Sequence, residues 1–131
     1  MTIKTNDPMV IPVRSTLDAM NARMVARKMA NEAGFDLKAQ ASIALATWSL
    51  AGVLGLGTSC QGEISIDSIR ETGRVGMRVV CSTRHYDDQL AASSFGNTGW
   101  IVDELRVDRS APDQVEVTAI KWEPASNTWH T

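Results

Sequence analysis

From Leu37 to Leu54 the chain places Ile43, Ala46, Thr47, Leu50, Ala51, Val53 and Leu54 so that almost no polar face remains after Gln40. A helix this apolar has to be buried on several sides, so the rest of the chain must supply a layer that covers it. Asp36 stands where an N-cap oxygen is needed, and Gly55 and Gly57 end the pattern. Upstream, residues 10–13 form a short apolar stretch whose Pro12 lacks a ladder donor, which assigns it to a sheet edge. Ser15 or Thr16 then caps a first helix, in which Leu17, Met20 and Met24, and then the Ala26/Ala30 positions, are spaced three and four apart. Met20, Met24 and Met29 are expected in the core. Arg23, Arg27 and Lys28 ride on the other side as a solvated face, and Gly34 ends the helix.

Past the loop 58–62 the period changes to two. Residues 63–67 alternate apolar and polar, Gly73 marks a turn, and residues 76–81 give a second strand, so an antiparallel hairpin is the economical pairing. Residues 83–97 are irregular. A short helix is expected at 99–105, and Pro112 with Asp113 turns the chain into the strongest strand, 115–122. The order predicts an α+β fold, a two-layer sandwich with helices covering one face of a mostly antiparallel sheet. Residues 10–123 are expected to form one domain, with 1–9 and 124–131 as tails.

At 131 residues the chain can bury a core without a disulfide or metal staple. Its net charge of −2 argues against a non-specific nucleic-acid binder. Cys60 and Cys81 fit neither a CxxC site nor a disulfide framework and read as reduced thiols, Cys81 in a buried strand. With no signal-peptide core and no membrane span read from the sequence, a cytoplasmic location is expected. His85 and His130 lack a second ligand at metal spacing. His85 beside Asp87 and Asp88 has the makings of an acid–base pair, but reads as exposed polar loop, and His130 as inert.

Several stretches carry a family resemblance: Ile11-Pro-Val-Arg-Ser-Thr-Leu-Asp18, Ala22-Arg23 with Ala26-Arg-Lys-Met29, Ala33-Gly-Phe35, Asp103-Glu-Leu105 and Ala119-Ile-Lys-Trp122. In this order, over about residues 10–122, they resemble the small GHKL-type (Bergerat-fold, histidine-kinase-like ATPase) serine/threonine kinases and anti-sigma regulatory factors of bacterial partner-switching modules. The resemblance implies a Glu and an Asn four apart on the second helix, to prepare the reacting group and to help hold Mg²⁺. Those positions are Ser49 and Val53. It implies an adenine-binding Asp followed by loop glycines, where this chain has Thr83, His85 and Asp87, and a glycine-rich phosphate lid, of which Gly96 and Gly99 remain. A Gly-Thr pair at the start of the last strand is replaced by Gln114-Val115.

Each lost charge-assisted or metal contact is worth ~1.5–3 kcal/mol, so losing several removes decades of affinity. The expectation is a non-catalytic member of this group that needs no cofactor or metal and acts by docking. Its implied partners are a STAS-domain antagonist, a sigma factor or the regulator of a PP2C-type phosphatase. Trp100 is a candidate interface anchor, and Trp48 either fills the vacated pocket or packs in the core. The alternative is an active Mg-ATP-dependent kinase with a rebuilt site, Thr83 taking adenine and Asp87 or Asp88 the metal. A homodimer built through the sheet is a third reading.

Overall fold

The computed structural model describes residues 4–5, 8–71, 73–84, 95–111 and 113–124. Both long helices start where their caps predict. Ser15 Oγ accepts the Asp18 N–H at the head of α1 (Thr16–Glu32), and Asp36 Oδ1 accepts the Ala39 N–H at 2.8 Å at the head of α2 (Leu37–Leu54). Gly55 closes α2 in the left-handed conformation. Between the helices the buried Gln40 amide donates to the Phe35 carbonyl at 2.9 Å and to Asn31 Oδ1 at 3.2 Å, which satisfies the one polar group the apolar helix carries inward at its start.

The buried stripe of α1 keeps Ala26 and Ala30 of the expected pattern but not its leucine and methionines. Ala19, Ala22, Ala26 and Ala30 face the core, whereas Leu17, Met20 and Met24 are exposed and only Met29 packs partly against the interior. Two stripes at three- and four-residue spacing lie on opposite sides of this helix, and the alanine stripe is the one that lets α1 approach its neighbours closely. Helix α2 has the length and hydropathy of a membrane span, yet half of it is buried inside the protein.

Among the described residues six strands form one antiparallel sheet. The central hairpin joins β3 (Gly62–Glu71) to β4 (Arg74–Arg84) through Gly73, at φ 82°. Strand β6 (Gln114–Pro124) pairs with β4, and the edge strand β5 (Glu104–Ala111) pairs with β6. On the opposite edge, β1 (Lys4–Thr5) and β2 (Met9–Val13) follow one another along β3, so the sheet reaches past the expected domain start at residue 10. Pro12 faces Glu63 on this edge strand, as its missing donor requires.

The helix expected at 99–105 is corrected. α3 (Gly96–Ile101) ends earlier, and Glu104 and Leu105 belong to β5. Asp103 makes the change of direction: its N–H donates to the Ile120 carbonyl at 2.9 Å, and its carboxylate accepts the Trp122 N–H at 2.6 Å.

The helices cover one face of the sheet, where Ile64, Ile66, Met77, Val79, Val115 and Val117 are buried. Cys81 lies among them, its thiol pushed up to about 12 by burial, so it stays protonated and unreactive. The open face carries the polar alternates, including the Asp67–Arg78 pair and Trp122, which lies across Gly76 with Arg74 stacked 3.6 Å from its ring centroid.

Two tests of the fold follow from local geometry. Gly57, at φ 83°, would place a Cβ 2.5 Å from the Ser15 carbonyl oxygen. Gly57→Ala should therefore lower stability by about 1–3 kcal/mol in chemical denaturation, with the clash at the α1 N-terminus setting the upper end. Glu123 accepts the Asp36 N–H at 3.4 Å, while its Oε2 is buried without a partner among the described residues. Desolvation pushes Glu123 above the usual carboxylate range, and the Asp36 charge adds to this against the opposing backbone N–H and Lys121. A raised folded-state pKa favours the native state below the ordinary carboxylate pKa, and this stability is lost as pH rises through the raised value. Glu123→Gln should melt above the wild-type chain at about pH 7–8, with the gap closing toward about pH 4.

Candidate functional site

Four of the positions singled out by the resemblance lie on two parts of the fold, helix α2 and the paired ends of β4 and β6. Ser49 and Val53 sit one turn apart on the C-terminal half of α2, both partly buried. There the facing element is α3: Thr98, fully buried, donates its hydroxyl to Ser49 Oγ at 2.6 Å. Phe95, just before α3, is buried in the core and anchors this helix beside α2. The place where the family needs a carboxylate and an amide oxygen is thus occupied by a hydroxyl paired to a neighbouring hydroxyl and by a hydrocarbon.

Thr83 and Gln114 stand at the ends of β4 and β6. They share the largest described cavity, about 750 Å³, at the end of the sheet, with Arg14, Cys60 and Arg84 also in its wall. Thr83 is only 3% exposed, and its hydroxyl donates to the Gln61 carbonyl at 2.8 Å, with the Arg84 carbonyl at 3.1 Å as the lesser acceptor. Gln114 is opposite Arg84 in the β4–β6 ladder, with Val115 opposite Thr83.

Gly96 and Gly99 form part of α3 itself. Neither has a positive φ, and among the described residues a Cβ on either would meet nothing within 4 Å. His85, Asp87 and Asp88 lie outside the described residues, as does the side chain of Trp100. Trp48, one residue before Ser49, is partly buried against the core.

Mg-ATP, the group the resemblance implies, does not fit the donors described. Mg²⁺ takes hard oxygen ligands, Val53 has none, and the Ser49 hydroxyl already accepts from Thr98. The Ser49–Thr98 pairing was not legible in the sequence, since the two residues are 49 positions apart and the segment before α3 is irregular. Phe95, a lone aromatic ahead of Gly96, was the available signal.

Helices over one face of an antiparallel sheet, with a short helix beside the second long one, are consistent with the expected α+β sandwich, and the chain resembles the GHKL-type kinases of partner switching. Among curated proteins it is similar to the serine/threonine-protein kinase RsbT of Bacillus subtilis (strain 168), 25% identical over 131 aligned positions that cover 89% of this chain and 98% of RsbT. No known family profile matches the chain.

Proposed function

We propose that this chain is a non-catalytic regulator in a bacterial partner-switching module, working in the cytoplasm by docking to a protein partner. The partner is a STAS-domain antagonist, a sigma factor or the regulator of a PP2C-type phosphatase. Similarity over nearly the full length of RsbT supports the partner-switching part of this reading. The observation that carries the non-catalytic part is the closed contact between Ser49 and Thr98, next to a valine, where the kinase reading needs a carboxylate and an amide. Such a protein regulates by occupancy: it holds a partner surface away from a competitor and transfers nothing to it.

The kinase name of RsbT favours a second reading, an active enzyme with a rebuilt site in which Asp87 or Asp88 supplies the carboxylate. One experiment separates the two. Purified chain is titrated calorimetrically against the STAS-domain antagonists, sigma factors and PP2C-phosphatase regulators of its own organism, and each mixture is then incubated with Mg-ATP carrying a labelled γ-phosphate. The docking reading expects a complex at tens of micromolar or tighter and no label on the partner. Label transfer that requires this chain supports the kinase, and failure to form any complex removes the docking reading.

A further inference from the structure

Five of the seven large apolar side chains left exposed among the described residues are on the two long helices: Leu17, Met20 and Met24 on α1, and Leu37 and Leu45 on α2. On α1 the three recur at 17, 20 and 24, directly opposite the buried alanine stripe, and Leu17 and Met24 are 72% and 69% exposed. On α2, Leu37 and Leu45 are separated by two turns with exposed Ala41 between them, so the outward face of this helix is apolar as well. A layer that turns leucine and methionine outward and alanine inward is incomplete without a partner.

The charges around this face have one dominant sign. Arg23, Arg27, Lys28 and Lys38 are exposed, and none has an ion-pair partner among the described residues. From Arg14 to Leu54 there are five Lys/Arg and three Asp/Glu. The remaining chain carries the other eight Lys/Arg and twelve Asp/Glu. Two of the three acids are also engaged locally: Asp18 accepts the Arg14 N–H, and Asp36 caps α2. The helical layer is therefore positive on a protein that is negative overall.

Resting on the docking function proposed above, we infer that the outward face of α1 and α2 is the docking surface, and that its occupant is a protein presenting an apolar ridge rimmed by carboxylates. The apolar side chains supply the buried centre, and methionine adapts to a ridge of varied shape. The cations at the rim set orientation and speed encounter with an acidic partner. A second copy of this chain is disfavoured as occupant, because stacking this face on itself would bring the cations of one protomer against those of the other. A lipid surface would find only a handful of apolar side chains and no exposed Trp or Phe among the described residues of these helices.

The test uses the full chain and the same panel of STAS-domain antagonists, sigma factors and PP2C-phosphatase regulators, with calorimetric affinities measured for wild type, Met24→Glu, Leu45→Glu, Arg27→Glu and, on the open sheet face, Thr118→Glu. All four positions are at least partly exposed, and a thermal melt of each variant confirms folding. The expected result is a loss of tenfold or more for Met24→Glu and Leu45→Glu, a smaller loss with a flatter salt dependence for Arg27→Glu, and no change for Thr118→Glu. Wild-type binding that survives both glutamate substitutions overturns the surface and leaves the docking function standing. Absence of any wild-type complex overturns both. Two further results overturn the inference: sedimentation of wild type with phosphatidylglycerol-containing vesicles that Met24→Glu abolishes, and a wild-type dimer that Met24→Glu converts to monomer.

Discussion

Phe95→Ala is expected to destabilise the chain by about 3–5 kcal/mol, the usual cost of deleting a fully buried aromatic ring. For a domain of this size that corresponds to a fall of roughly 10–20 °C in melting midpoint. The ring fixes the entry to α3, and α3 holds Thr98 against Ser49, so the variant should also loosen that contact and raise amide exchange in residues 95–101. Gly96→Ala is the control. Its added methyl meets nothing within 4 Å among the described residues, and alanine is the better helix former, so stability should hold or rise by about 0.5–1 kcal/mol. A phosphate lid that needed glycine at residue 96 would give the opposite result for its ligand.

Arg78→Met should cost about 2–4 kcal/mol in denaturant titration. Asp67 is 2% exposed on the open sheet face, and Arg78 donates to both of its oxygens, from Nε at 3.0 Å and from Nη2 at 2.5 Å. Removing the guanidinium strands a carboxylate in a place that water hardly reaches. The effect stays below that of a fully interior pair because the Arg78 side chain is 36% exposed and part of the attraction is screened. Replacing both partners, as Asp67→Leu with Arg78→Met, should recover most of the loss, since the penalty belongs to the unpaired charge rather than to the missing bond. A double-mutant cycle with Asp67→Leu alone isolates the coupling.

Much of this architecture could be read from local chemistry. Ser15, Asp36, Gly34 and Gly55 are caps whose meaning depends only on immediate neighbours, and each stands at the helix end it was expected to mark. The hairpin at Gly73 and the edge position of Pro12 were legible for the same reason. Failures occurred where distant packing decides between equal local patterns. Helix α1 carries two stripes of valid spacing, and hydropathy favours leucine and methionine, whereas the close approach of α1 to its neighbours selects alanine. Strand β5 was hidden because Trp100, Ile101 and Leu105 suggest a helix. The alternation of Leu105 and Val107 with Arg106 and Asp108 marks the strand, and pairing with β6 enforces it.

The candidate site was legible by subtraction. Ser49, Val53, Thr83 and Gln114 stand out only against what a nucleotide site needs, and the sequence could not say what they do instead. The answer lies in contacts across long sequence distances: the Thr98 hydroxyl on Ser49, the Gln61 carbonyl on Thr83, and Arg84 opposite Gln114.

The central claim, that this chain docks without nucleotide, is tested most directly by titrating the wild-type chain with Mg-ATP in a calorimeter and following its thermal midpoint at the same concentrations. A ligand present at a hundred times its dissociation constant would add ~2.7 kcal/mol of stability. We predict no binding heat and an unchanged midpoint at millimolar Mg-ATP. Saturable micromolar binding, with a matching rise in midpoint that disappears when the metal is chelated, would contradict the account.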